Sequence, residues 1–141
     1  MFRTFSPIPL ASKSARWAYR IQAHYPNVFG FSAFGDLFVC SQDGHQIAVV
    51  LTNLPKLEQL NFDSIESFTS IFLTNAGIVE QVLRKADYDK LASRLGPLGD
   101  DQCFFPVTFP QMGGSGALDT YDKGDVWVHL DLLGQVMGLS A

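Results

Sequence analysis

The sequence predicts an α+β fold, a single domain in which a small antiparallel sheet with a β-hairpin packs against several helices. Three observations lead to this fold class. Two runs of β-forming residues flank an Asp-Gly turn, apolar residues recur with helical spacing over 65–95 and 128–137, and no repeat or low-complexity linker divides residues 1–141. With 141 residues, 47% of them hydrophobic, the chain can bury a core without a disulfide or a metal.

The N-terminal part of the chain, residues 1–28, is predicted to be a helical segment. Beyond the helix-breaking Pro7 and Pro9, Ser12 or Ser14 is placed to cap a helix that runs to about residue 23. The apolar residues that follow share one helical face, so this helix is expected to pack on the rest of the domain.

The clearest local signal is a β-hairpin. The runs Leu37–Cys40 and Ile47–Leu51 are rich in β-forming residues and flank Asp43 and Gly44. Asp-Gly is a strong hairpin turn because its backbone tolerates positive φ. Both runs are apolar at nearly every position, so we expect both faces of their sheet to be covered. Residues 56–62 are compatible with a third strand.

A helical stretch follows these strands. Either Asp63 or Ser64 can cap its start, and Asp63 and Glu66 have the spacing of a capping box. The stretch is expected to end or bend near Gly77 and then to continue until Gly96, followed by proline, stops it.

The last third of the chain combines an extended segment, a turn and a closing helix. Cys103–Phe109 is predicted to be extended, and Pro106 confines it to an edge or a bulge. Met112–Gly116 is predicted to be a flexible turn and Leu118–Asp122 an acidic loop. The apolar residues from 128 to 137 have the spacing of a helix that packs on the core.

Charge is distributed unevenly along the chain. The first 34 residues carry four basic residues and no acidic one, whereas the remainder carries six basic and fourteen acidic residues, for a net charge of −4. The acidic charge of residues 35–141 repels the phosphate backbones of nucleic acids and attracts basic protein surfaces. We therefore expect a basic protein partner and no nucleic acid partner.

Composition also bears on the compartment. No run reaches the roughly 18 apolar residues of a membrane span, and the N-terminus lacks a signal-peptide core. We expect a soluble, cytoplasmic protein without membrane contact. Cys40 and Cys103 have no C-x-x-C spacing and are expected to be reduced, buried thiols.

No catalytic or metal-binding constellation is recognisable, and we predict no metal, no cofactor and no enzymatic activity. His24, His45 and His129 form no metal-ligand pair. The segment Gly113–Gly116 contains Ser115, but it lacks the strand-to-helix setting of a nucleophile elbow and the lysine of a phosphate-binding loop. These glycines are better explained by a tight turn.

One alternative of a different class stays open. The Gly113–Gly116 loop and the neighbouring acidic residues would suit a small-ligand-binding or hydrolytic domain, because two carboxylates can transfer protons or hold a divalent cation. Loss of a measurable turnover on Ser115→Ala would establish it.

Two stretches of residues 29–141 resemble a known family. They are the run Phe34-Gly35-Asp36-Leu37-Phe38 and the segment 104–138, in which an aromatic-Pro segment precedes Gly113 and Gly114. Both resemble the small bacterial DUF1851 domain, which also forms the C-terminal half of immunity proteins against type VI secretion DNase toxins. Those proteins carry a GAD-like domain first, so the resemblance implies a stand-alone domain here. The signature residues that it implies, with structural roles, are Phe34, Gly35, Asp36, Gly113 and Gly114.

The resemblance implies a function in toxin–antitoxin recognition, in which the chain binds a cognate secreted toxin and occludes its active surface. Charge clustering indicates where a basic partner would bind, with carboxylates for rate and selectivity and an aromatic ring as anchor. The candidate partner-binding residues are Asp100, Asp101, Asp119, Tyr121, Asp122 and Asp125. A homodimer is also compatible with a composition that includes twelve Phe.

Overall fold

The computed structural model describes residues 1–21 and 23–139. The larger of two antiparallel sheets in this part of the chain has five strands, and each strand pairs with its neighbour in sequence. The strands are Phe2–Pro9 (β1), Asn27–Ser32 (β2), Leu37–Cys40 (β3), Ile47–Leu51 (β4) and Lys56–Leu60 (β5). The helices are Ala15–Ile21 (α1), Ile65–Ser67 (α2), Ala76–Gln81 (α3), Lys85–Leu95 (α4) and Val126–Val136 (α5). The α+β prediction is confirmed.

The predicted hairpin is confirmed as β3 and β4. The two strands pair antiparallel, with Cys40 opposite Ile47 next to the turn. Gly44 has a φ of 77°, the left-handed conformation that favours glycine. Asp43 Oδ1 accepts a hydrogen bond of 2.6 Å from Ser41 Oγ, which closes the turn. β5 then adds the third predicted strand at one edge of the sheet.

The helical segment predicted for residues 1–28 is wrong in its first part, because residues 2–9 form β1. This strand lies at the edge of the sheet beside β2, and its exposed and half-buried residues roughly alternate. An edge strand tolerates proline because the missing N–H is not needed for pairing, so Pro7 and Pro9 do not end it. The helix itself begins after Ser14, whose Oγ accepts a hydrogen bond of 3.2 Å from Trp17 N.

The helical stretch predicted after Asp63 is divided into three helices. Ser64 rather than Asp63 caps α2, since its Oγ accepts a hydrogen bond of 3.1 Å from Ser67 N. A π-helical turn of residues 68–72 follows, and the side chain of Asn75 caps α3. Gly96, with a φ of 84°, ends α4 as predicted.

Both faces of the five-stranded sheet are covered, as the apolar strands predicted. On one face, α1 and α5 pack through Trp17 and Leu130 against a core that includes Val39. On the other face, Phe68 of the π-helical turn packs on the rings of Phe29 and Phe38. The sheet is thus the middle layer of the domain.

A second sheet of two strands carries three of the candidate partner-binding residues, Tyr121, Asp122 and Asp125. Gln102–Pro106 (β6) pairs antiparallel with Tyr121–Asp125 (β7), and α4 covers one side of this pair. The prediction of an acidic loop through residue 122 is wrong, because pairing with β6 satisfies the backbone of residues 121–125 while acidic side chains point outward. Residues 118–120 form a single 3-10 turn.

The large apolar side chains that reach solvent are mostly aliphatic. Of the phenylalanines in the described residues, only Phe2 is exposed, whereas Val107, Met112, Val128 and Leu132 are all exposed. Across residues 1–21 and 23–139, we find no helix with the length and hydropathy needed to cross a membrane.

Candidate functional site

The loop between β2 and β3 holds the signature residues Phe34, Gly35 and Asp36. Gly35 has a φ of 85°, and a Cβ atom at this position would lie 3.2 Å from Cδ2 of His129 in α5. Both the backbone conformation and the close approach of the imidazole therefore require glycine. The loop therefore packs directly against α5 at the end of the large sheet.

Asp36 ties this loop to the residue after β4. Its Oδ1 accepts a hydrogen bond of 3.3 Å from Thr52 N, and its Oδ2 accepts one of 3.4 Å from Ser32 Oγ. Burial removes the carboxylate from water and raises its pKa from 3.8 to about 6, against the opposing effect of these hydrogen bonds and of Arg84. Because the residue is only 8% exposed, its carboxyl group stabilises the loop rather than meeting a substrate.

Arg84, which belongs to no recognisable sequence motif, connects the signature loop to α4 and β7. Its guanidinium lies 4.0 Å from the centre of the Phe34 ring and donates hydrogen bonds of 3.1 and 3.0 Å to Asp87 Oδ2. It also lies 3.4 Å from the hydroxyl of Tyr121. Arg84 has a φ of 55°, and within the described residues no other non-glycine residue has positive φ. These contacts hold Arg84 in its strained backbone conformation and so fix α4 relative to the signature loop and β7.

The burial of Tyr121 corrects one candidate. Its side chain is 9% exposed and packs edge-on against Phe34 with ring centres 6.2 Å apart. The ring therefore holds the hairpin of β6 and β7 against the signature loop. Tyr121 presents no aromatic anchor to a partner.

The glycine loop has the geometry of a tight turn. Gly113 has a φ of 92° with open space around its Cα, whereas a Cβ on Gly114 would overlap the carbonyl group of Thr108. The Oγ of Ser115 accepts a hydrogen bond of 3.2 Å from Ala117 N, a local contact within the same turn. Backbone conformation thus accounts for Gly113, backbone packing accounts for Gly114, and the serine hydroxyl takes part in the turn.

The buried thiol and imidazole nearest this region are not tuned for nucleophilic catalysis. Burial raises the pKa of the Cys103 thiol to about 12, with further contributions from Asp125 and Asp36. Burial also lowers the pKa of His129 to about 4, so its imidazole is neutral between the rings of Phe105 and Phe109. An activated cysteine needs a lowered thiol pKa and a basic partner, the opposite of this arrangement.

The metal-ligating residue types are also dispersed. In the part of the chain that the structure describes, no three His, Cys, Asp or Glu side chains are grouped so that they could hold a metal ion. Both cysteines are free and buried, as predicted.

The candidate acidic residues are distributed over β7 and the segments on either side of it. Asp125 and Gln102 face each other at one end, next to Asp101, which forms a 2.9 Å ion pair with Arg3. Asp122 lies toward the other end, and Asp119 belongs to the preceding 3-10 turn. The backbone carbonyl of Asp100 accepts a hydrogen bond from the same arginine. Arg3 thus offsets the charge at the Asp100–Asp101 corner.

Two exposed residues of α5 were assigned by their spacing to the apolar stripe of a buried helix. Val128 is 59% exposed and Leu132 is 48% exposed, while Leu130 and Leu133 are fully buried. The apolar residues of 126–137 cover more than one face of α5, because they occur at nearly every angle around the helix axis. The presence of more apolar residues than one buried face can hold is the sequence signal that some of them, here Val128 and Leu132, face away from the core.

The family of this chain is established by its C-terminal half. A family model described as "T6SS immunity protein Tdi1, C-terminal" matches residues 62–137, which comprise α2 to α5 and the whole of β6 and β7. The chain belongs to this family. Membership of this immunity family supports a protein-binding role of the immunity type. The name DUF1851 and the stand-alone occurrence of the domain stay predictions.

The fold also has a counterpart among solved structures. The crystal structure of Atu4351 from Agrobacterium tumefaciens superposes with a TM-score of 0.65 at 18% sequence identity, over 95% of this chain. At that identity the likeness concerns the fold alone. The chain spans 66% of the length of that protein. No curated protein sequence matches the immunity-family chain at a significant level.

Proposed function

We propose that this chain is a non-enzymatic immunity protein that binds a cognate secreted toxin and covers its active surface. The observation that carries the proposal is the match of residues 62–137 to the immunity family. The turn hydrogen bond of Ser115, the raised pKa of Cys103 and the lowered pKa of His129 also fit a protein that acts by binding.

Charge supports a basic toxin as the partner. The chain has a net charge of −4, and Asp119, Asp122 and Asp125 are exposed. A toxin that acts on nucleic acid must present a basic surface to phosphate groups, and an acidic protein can occupy that surface in their place. Standard interfaces bury about 1,600 Å² in total, enough to cover such a site.

The compartment follows from the same proposal. We place the action of this chain in the bacterial cytoplasm as a single domain of residues 1–141, in contact with neither membrane nor nucleic acid. The free thiols of Cys40 and Cys103 suit a reducing compartment.

The test is protection together with stoichiometric capture. A host strain that lacks this chain is grown against secretion-competent sibling cells, and the tagged chain is purified from the parent strain at low salt. We expect the deletion strain to be killed only when the siblings can secrete, and one basic protein to elute with the chain in equal amount. Equal survival of both strains against toxin-producing siblings would refute the immunity function.

A further inference from the structure

The exposed side of α5 carries two apolar side chains, Val128 and Leu132, that belong to none of the hydrophobic clusters formed by the described residues. Val128 and Leu132 are one helical turn apart and are 59% and 48% exposed. On the opposite side of the helix, Leu130 and Leu133 are fully buried in the core. Because the core side already anchors α5, the two exposed side chains are not needed to hold the helix in place.

Aromatic rings extend this surface beyond the helix. The ring of Phe105 is stacked on the imidazole of His129 with centres 5.2 Å apart, and the ring of Phe109 lies 5.5 Å from it at an angle of 66°. Both phenylalanines are half-buried. Residues three and four apart are neighbours on a helix, so Leu132 lies next to His129 on α5, and the Asp125 cap lies at the start of the helix next to Val128.

Carboxylates border the apolar side chains. Asp122 is directly opposite Phe105 in the pairing of β6 and β7, and directly opposite residues share one face of a sheet. Asp125 is exposed, and its Oδ1 caps α5 by accepting hydrogen bonds of 2.9 Å from the N–H groups of Trp127 and Val128. No Lys or Arg belongs to α5.

Two further charges near these residues are already compensated within the chain. Asp131, also on α5, forms an ion pair of 3.4 Å with Arg16. Lys123 reaches away from the surface to donate a hydrogen bond of 3.0 Å to the carbonyl of Pro97. Asp122 and Asp125 form no ion pair among the described residues. Val128, Leu132, Phe105, Phe109, Asp122 and Asp125 together form what we call the α5 surface.

This combination selects one class of occupant. A second copy of the chain docked by two-fold symmetry would bring two identical surfaces together, each with carboxylates and with no Lys or Arg on α5 to pair with them, and this opposes association. We propose that the α5 surface is the docking site of a basic protein segment whose apolar side chains cover Val128 and Leu132 while its Lys or Arg side chains pair with Asp122 and Asp125. The inference rests on the proposed function, since it names the surface with which the toxin is bound.

Two double variants separate the apolar and the charged parts of this surface. Val128→Ala with Leu132→Ala shortens exposed side chains and favours helix formation, so the fold is retained. Asp122→Asn with Asp125→Asn removes two charges, and asparagine still caps a helix. The matched control is Ile71→Ala with Glu80→Gln, because Ile71 is 59% exposed and Glu80 is exposed on the opposite side of the large sheet.

The first measurement uses a photo-cross-linking amino acid, benzoylphenylalanine, placed at position 128 or, separately, at 132 of the full chain in its host. We expect a covalent adduct with one basic protein at both positions and none when the probe replaces Ile71. An adduct with a second copy of the chain or with an acidic protein would overturn the proposal, and so would no adduct at either position.

The affinity of the captured protein for purified variants completes the test. We expect the alanine pair to raise Kd at least about tenfold and the asparagine pair to lower the association rate about tenfold and to flatten its salt dependence. Unchanged values in both pairs would refute the α5 surface while leaving immunity intact. A basic adduct without any killing of the deletion strain would instead keep the surface and refute the toxin partner.

Discussion

The glycine loop offers the sharpest test of a structural against a catalytic role. A Cβ on Gly114 would overlap the carbonyl oxygen of Thr108 and lie 2.8 Å from the carbonyl carbon of the same residue. Ordinary contact begins at 3.4 Å, so clearing the carbon already takes 0.6 Å, and clearing the oxygen requires the two backbone segments to move further apart than that. The shift also strains the 3.1 Å hydrogen bond from Gly114 N to Phe109 O.

The magnitude follows from these two effects. Overpacking costs about 1–3 kcal/mol, and a weakened hydrogen bond adds about 1 kcal/mol. The loop is at the surface and can relax, so we expect a loss of about 2 kcal/mol, which corresponds to about 6 °C in Tm for a domain of this size. Gly113→Ala has open space but a φ of 92° and should lose about 1–2 kcal/mol through backbone conformation alone. Ser115→Ala should stay within about 0.5 kcal/mol of the parent.

Thermal unfolding followed by circular dichroism at matched concentration measures all three variants. The expected order of Tm is Ser115→Ala above Gly113→Ala, with Gly114→Ala lowest or equal to Gly113→Ala. A Gly114→Ala protein that melts with the parent would refute the close approach of the two backbones. A stable Ser115→Ala protein that loses a measurable turnover would refute the purely structural role of the loop.

Three further predictions concern the interior. Folded Asp36 binds its proton more tightly than the unfolded chain does, so the free energy of unfolding should fall by up to about 3 kcal/mol as the pH rises from 4 to 6, and Asp36→Asn should remove this loss. His129, whose pKa is lowered by folding, gives the opposite slope over the same range. The test is therefore the difference in urea unfolding between parent and Asp36→Asn at each pH, and a difference that does not change with pH would contradict the prediction. Arg84→Ala should be about 1 kcal/mol less stable than Arg84→Gly, because only glycine adopts a φ of 55° without cost; equal urea midpoints would show that the backbone there is unstrained. Phe68→Ala should lower the free energy of unfolding by about 3–5 kcal/mol because the side chain is fully buried, whereas Ile71→Ala, at an exposed position, should lower it by less than about 0.5 kcal/mol. A small loss for Phe68→Ala would mean that the surrounding helices close the cavity.

The parts of the fold that could be predicted are those whose backbone conformation depends on a few residues that are adjacent in sequence. Asp43 and Gly44 specify a turn by their own backbone preferences, and Gly96 ends α4 in the same way. The continuous apolar runs of β3 and β4 correctly predicted a sheet covered on both faces. By contrast, β1 was missed because an edge strand with two prolines has no strong local signal.

The candidate site was predicted less well than the fold. The acidic composition indicated a basic partner, but Asp119, Asp122 and Asp125 lie along a 3-10 turn and the extended β7 and do not share one loop. Tyr121 alternates into the interior of its hairpin and so cannot serve as an anchor. Arg84 was missed since its partners are Phe34 and Tyr121, which are distant in sequence.

By itself, the sequence determined the α+β class, the central hairpin, the acidic charge and the resemblance to an immunity family, since each depends on local preference or on composition. Only the tertiary structure decided which side chains remain available to a partner. The exposure of Val128 and Leu132 depends on how far the core covers α5, and the burial of Tyr121 and Asp36 depends on contacts between distant segments. Such contacts arise from packing between layers, which no periodicity within a single segment records.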